Sequence, residues 1–95
     1  MQTQFYLVFN LKNPGGDWHS FGKFFLGNNG NEARRLFREL KRVPEVQEEY
    51  PLSIDFMEIR NGLPVNLDVL NCTLEQLAEN TKLVTKELFK LQLAP

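Results

Sequence analysis

From Gln4 to Lys12 apolar and polar positions alternate. Phe5, Leu7, Phe9 and Leu11 fall on one side, and Gln4, Tyr6, Val8, Asn10 and Lys12 on the other. A period of two is the mark of a half-buried strand. Asn13-Pro14-Gly15-Gly16-Asp17 follows as a turn, because Pro fixes φ and Gly permits positive φ. Trp18 to Gly27 makes a second, aromatic-rich strand, so the two are expected to form a hairpin. The facing of this strand is open. Trp18, Phe24 and Leu26 share one parity, Phe21 and Phe25 the other, and Gly22 marks a bulge or a close backbone approach.

The period then changes. Asn28-Asn29-Gly30-Asn31 breaks the strand, and Asn29 with Glu32 has capping-box spacing, Asn31 being the alternative cap. Ala33, Leu36, Phe37, Leu40 and Val43 form a helical stripe that Pro44 should end. After the acidic connector Glu45 to Pro51, Leu52 to Arg60 is a third strand. Its parity changes after Phe56, which a bulge near Phe56–Met57 would reconcile. Asn61-Gly62 is a strong hairpin signal. Val65, Leu67 and Val69 alternate with Asn66 and Asp68 as a fourth strand. Thr73-Leu74-Glu75-Gln76 is a capping box. The last helix runs from Leu74 to about Leu91, burying Leu74, Leu77, Ala78, Thr81, Val84, Leu88 and Leu91.

The order ββαββα predicts an α+β, two-layer sandwich: a four-stranded, mostly antiparallel sheet with two helices on one face. It is one domain, residues 1–95, of two ββα halves at about 4–43 and 52–91. The strand order stays open.

Composition adds limits. The apolar share of 42% and charged share of 24% are ordinary for a globular domain. One Cys excludes an intrachain disulfide, and Met1 to Phe5 lacks the basic-then-apolar pattern of a signal peptide. The expected setting is therefore cytoplasmic. No apolar run approaches a membrane span, so no membrane partner is expected. A net charge of −1 argues against a general nucleic-acid binder. That total hides a split. Residues 1–42 hold seven basic and three acidic side chains, and residues 43–95 four and nine.

Candidate chemistry is sparse. His19 and Cys72 are the residue types of an imidazole–thiolate pair, and Cys72 precedes a helix start, where thiol pKa values fall. No local motif surrounds either, and a lone Cys is commonly a small buried hydrophobe. Asp17 with His19 lacks the further ligands a metal needs. Gly27-Asn28-Asn29-Gly30-Asn31 before a helix suits an anion, yet it matches no phosphate-loop pattern and also serves as a plain turn with an N-cap. No catalytic residue, cofactor or metal is assigned. The first helix carries Arg34, Arg35, Arg38, Lys41 and Arg42, either a contact for an acidic partner or nucleic acid, or an ordinary solvated face.

The sheet face without helices is the more informative surface. Tyr6, Val8, Met57 and Leu70 are expected there with Phe21 and Phe25, or on the other facing of the second strand with Trp18 and Phe24, bordered by polar residues such as Asn10 and Asp55. A water-facing antiparallel sheet should be more polar than this. An apolar patch with a polar rim marks an interface, unless a chain terminus such as Leu91 to Pro95 covers it. The expectation is a small non-enzymatic interaction module forming a homodimer through this face. The alternatives are a small-ligand binder or enzyme with a pocket against the sheet, using Trp18, His19, Tyr6 and Cys72, and the basic contact of the first helix.

Overall fold

The computed structural model describes residues 3–46 and 49–93, with side chains to residue 90. Leu91 as a stripe residue, the 91–95 tail as a cover, and Glu48 in the connector lie outside the described side chains. The elements are β1 (Gln4–Lys12), β2 (Trp18–Gly27), α1 (Gly30–Glu39), β3 (Leu52–Arg60), β4 (Leu63–Asn71) and α2 (Leu74–Leu93). They form one four-stranded sheet, β2-β1-β3-β4, with every pairing antiparallel. The fold is α+β, in the order ββαββα. The first strands of the two hairpins meet in the middle, so each half keeps its own side of the sheet.

One face carries the core. Phe5, Leu7 and Phe9 of β1 join Leu52, Ile54 and Phe56 of β3, and Ala33, Leu36, Phe37 and Leu40 of the α1 segment close over them with Val84 of α2. Phe37 stacks on Phe56, ring centroids 5.2 Å apart. Leu77, Leu83 and Leu88 pack against this cluster while staying partly exposed. Leu11 has the core parity but lies at the end of the sheet and is exposed. The predicted stripe of α2 is shifted. Leu74 is 73% exposed and Ala78 is exposed, while Asn80 is buried.

Bulges decide the facing of β2. Phe9 pairs with Gly22 and Asn10 with Ser20, leaving Phe21 extra; Phe5 pairs with Gly27 and Tyr6 with Phe25, leaving Leu26 extra. Trp18 and Phe25, of opposite parity in the sequence, thus come to the same face. In β3 the pairing with β1 is unbroken, so Met57 and Ile59 do lie opposite the core side. The irregularity near Phe56–Met57 belongs to β4, where Leu67 is the extra residue and packs on the core. Glu58 takes the core-side position at that end of β3, buried and paired with Arg60.

α1 stops at Glu39, four residues short of the predicted Val43. Leu40 is extended, and Arg42 folds back to donate to the Phe37 and Leu40 carbonyls. Residues 41–43 find tertiary partners instead. Asn80 brackets Lys41, Gln76 donates to the Arg42 carbonyl, and the Val43 N–H donates to the Asn71 carbonyl at 2.9 Å. Both predicted caps form. The Asn29 side chain accepts the Glu32 N–H, and Thr73 and Gln76 bond reciprocally at 3.1 and 2.9 Å.

Candidate functional site

The face without helices is built from cross-strand rows fixed by the register. From one end these are Lys12 with Trp18; then Ser20–Asn10–Ser53–Asn71; then Lys23–Val8–Asp55–Val69; then Phe25–Tyr6–Met57–Asn66; and last Gln4, Ile59 and Pro64. The face has two unlike regions.

The apolar region centres on Tyr6. Its ring meets Phe25 at 5.6 Å between centroids, and the Lys23 ammonium lies 4.6 Å from the Tyr6 centroid. Under this cover Tyr6 is only 5% exposed, while Phe25 stays 49% exposed beside partly buried Val8, Met57 and Ile59. Phe21, in its bulge, is exposed and meets Phe9 edge-on. Leu70 does not belong here. It pairs with Ile54 on the helix side and is 1% exposed, because the extra residue Leu67 resets the parity of β4. Of the six expected interface residues, Tyr6, Val8, Phe25 and Met57 share this region, Phe21 is the unpaired bulge residue whose ring meets the core residue Phe9, and Leu70 is core.

The polar region, expected as a rim, includes a row that crosses all four strands near one end of the face. Asn10 Oδ1 accepts from Ser20 Oγ at 2.7 Å, and Asn10 Nδ2 donates to Asp55 Oδ2 at 2.9 Å and more weakly to Ser53 Oγ at 3.4 Å. Above this row lies a hollow of about 310 Å³ lined by Asn10, Trp18, Val46, Ser53, Asp55, Val69 and Asn71. Of the pocket residues expected from sequence, Trp18 lines it and Tyr6, His19 and Cys72 do not. The missed residues carry a signal in hindsight. Asn and Asp are poor strand formers, yet they occupy strand interiors at Asn10 and Asp55, with the polar Ser20 and Ser53 beside them. Only the register shows that Ser20, Asn10 and Ser53 form one row with Asp55 in the next.

His19 and Cys72 are kept apart. His19 is on the edge strand β2, exposed and bonded to the Asn13 amide at 2.9 Å. Cys72 follows β4 at the opposite edge of the sheet and is buried in the core, where desolvation pushes its thiol pKa up rather than down. Among the described residues no group of His, Cys, Asp and Glu could hold a metal. The Gly27–Asn31 loop is a turn serving the N-cap, and Gly30 lets the Phe5 ring pack close, since a Cβ there would stand 3.0 Å from it and the ring would have to give way slightly.

The basic residues of the α1 segment are partly spent within the molecule. Arg35 pairs with Glu32 at 3.0 Å and Glu39 at 2.7 Å, which raises its pKa, and reaches toward Glu87 at 3.9 Å. Lys41 lies 3.9 Å from Glu79, and Arg42 caps the helix over the Phe37 ring. Arg34 sits 5.9 Å from the Phe56 centroid, and Arg38 is exposed in the last turn. Among the described residues no helix is long and apolar enough to cross a membrane. No family model, curated protein or solved structure matches this chain.

Proposed function

We propose that this chain is a non-enzymatic interaction module that pairs with a second copy of itself through the helix-free face of its sheet. The observation that carries this is the row Phe25–Tyr6–Met57 with Val8 and Ile59 beside it, an apolar region on a face that no helix covers. Exposed apolar patches with polar surroundings are where soluble proteins associate.

Charge supports a second copy as the occupant. The half containing β2, β1 and α1 holds the basic excess, and the half containing β3, β4 and α2 the acidic excess. A two-fold axis parallel to the strands lays each row on its own reversed copy. The apolar row then covers the apolar row, and each basic half faces an acidic half. A single cysteine, reduced and buried, fits a cytoplasmic setting for such a module.

Light scattering coupled to size exclusion tests this directly. A dimer is expected at micromolar concentration, and Phe25→Glu should yield a folded monomer. Phe25 is the position to change, since Tyr6 is buried within each copy and a charge there would damage the fold. A wild-type monomer at that concentration would end the proposal.

A further inference from the structure

The polar row runs against strand preference. Ser20–Asn10–Ser53–Asn71 crosses all four strands at one level with two Asn, a type that strands disfavour, and Asn10, Ser53 and Asn71 are buried and hydrogen-bonded. Departures from local preference of this kind gather at functional sites. Here the row has an evident product: it holds the Asp55 carboxylate at the hollow. Asn10 accepts from Ser20 through Oδ1 and donates to Asp55 Oδ2 through Nδ2, and Asp55 lines the hollow.

Asp55 is half-buried, and among the described residues no Lys or Arg forms an ion pair with it. Lys23, the cation in the same row, leans the other way, its ammonium 4.6 Å from the Tyr6 centroid and 5.4 Å from that of Phe25. A carboxylate partly withdrawn from water with a neutral partner favours a cation beside it. The remaining walls are apolar: Trp18, Val46 and Val69.

We propose that the hollow binds a primary alkylammonium group. The ammonium donates to Asp55 and the Ser53 hydroxyl, and the alkyl stem lies along Val69, Val46 and the Trp18 ring. Asn10 is a positioning residue that sets the carboxylate. The group has two sources, a free amine and a lysine side chain of a second copy, and the chemistry is the same for both.

Trp18 is the one tryptophan of the chain and lines the hollow, so its fluorescence reports occupancy. Titration of the full chain with n-butylammonium chloride at constant ionic strength should give a saturable change that n-butanol does not. Asp55→Asn keeps the side chain's shape and should weaken the affinity about tenfold or more, the loss of one charge-assisted hydrogen bond. Val69→Phe, at a half-exposed edge position, narrows the hollow without touching the charge and should also weaken it, which keeps the test open if Asp55→Asn is unstable. A saturable change in the monomer assigns a free amine. Dissociation of a dimer by the amine, matched by weaker pairing in Lys23→Gln, assigns the lysine of a second copy. Equal response to n-butanol, undiminished affinity in both hollow variants, or no saturation by the millimolar range would overturn the proposal.

Discussion

Asn80 is 1% exposed in the middle of a helix, and its amide is complete: Oδ1 accepts the Lys41 N–H at 2.7 Å and Nδ2 donates to the Lys41 carbonyl at 2.9 Å. It closes the backbone accounts of a residue that has left α1 and joined no other element. Removing it leaves two backbone groups without partners. Asn80→Ala should therefore cost about 1–3 kcal/mol in urea titration, while Asn80→Asp, which loses only the donor, should cost less at low pH than at neutral pH. Cys72 makes the opposite point, a reactive residue type made inert by its place. Burial raises its pKa, so the folded state holds the thiol proton to higher pH than the unfolded state does. Its contribution is whole below the unfolded thiol's pKa and is lost as pH rises through the folded value. Stability should fall in that alkaline window, and Cys72→Ala should flatten the slope of midpoint against pH. Alkylation by iodoacetamide at neutral pH should proceed only as fast as the chain opens.

At the scale of elements, turns and caps follow local chemistry. Asn61 and Gly62 both have positive φ, 53° and 80°, joining β3 to β4 by the two-residue turn that Asn-Gly favours. Gly62→Ala should cost about 1–2 kcal/mol, read as a lower thermal midpoint, because a Cβ opposes that conformation. The reciprocal Thr73–Gln76 box starts α2, and Thr73→Ala should cost about 1 kcal/mol in the same measurement. These features were legible because each depends on neighbours a few residues away. The facing of β2 and the end of α1 were not. Two bulges in β2 are settled by pairing with β1, and α1 ends where α2 and β4 offer its continuation other hydrogen bonds. Both depend on partners distant in sequence.

For the whole molecule, the charge split between halves becomes a dipole across the sheet, because β1 and β3 meet at the centre and each hairpin stays on its own side. Within one chain α1 and the segment after it already use it against α2, through Arg35 with Glu87 and Lys41 with Glu79. Between chains the same dipole favours the reversed stacking of the proposed dimer. Pairing should then weaken as salt rises from ~0.01 M to ~1 M, which sedimentation equilibrium would measure, since screening shortens from ~30 Å to ~3 Å. Salt-independent or salt-strengthened association would point to apolar contact without this orientation.

The sequence alone determined six elements, their order, both helix caps and the Asn61-Gly62 turn, because periodicity and capping act over one or two turns of chain. It also determined that an apolar surface would remain after two helices had covered one side of four strands. Only the tertiary structure decided which residues form that surface. A single extra residue in a strand reverses every side chain beyond it, so Leu70 moved to the core, and Trp18 and Phe25, of opposite parity, came to the same open face. The polar row beneath the hollow is likewise a product of register: Ser20, Asn10, Ser53 and Asn71 are scattered over the chain and become one line only when β2, β1, β3 and β4 pair in that order.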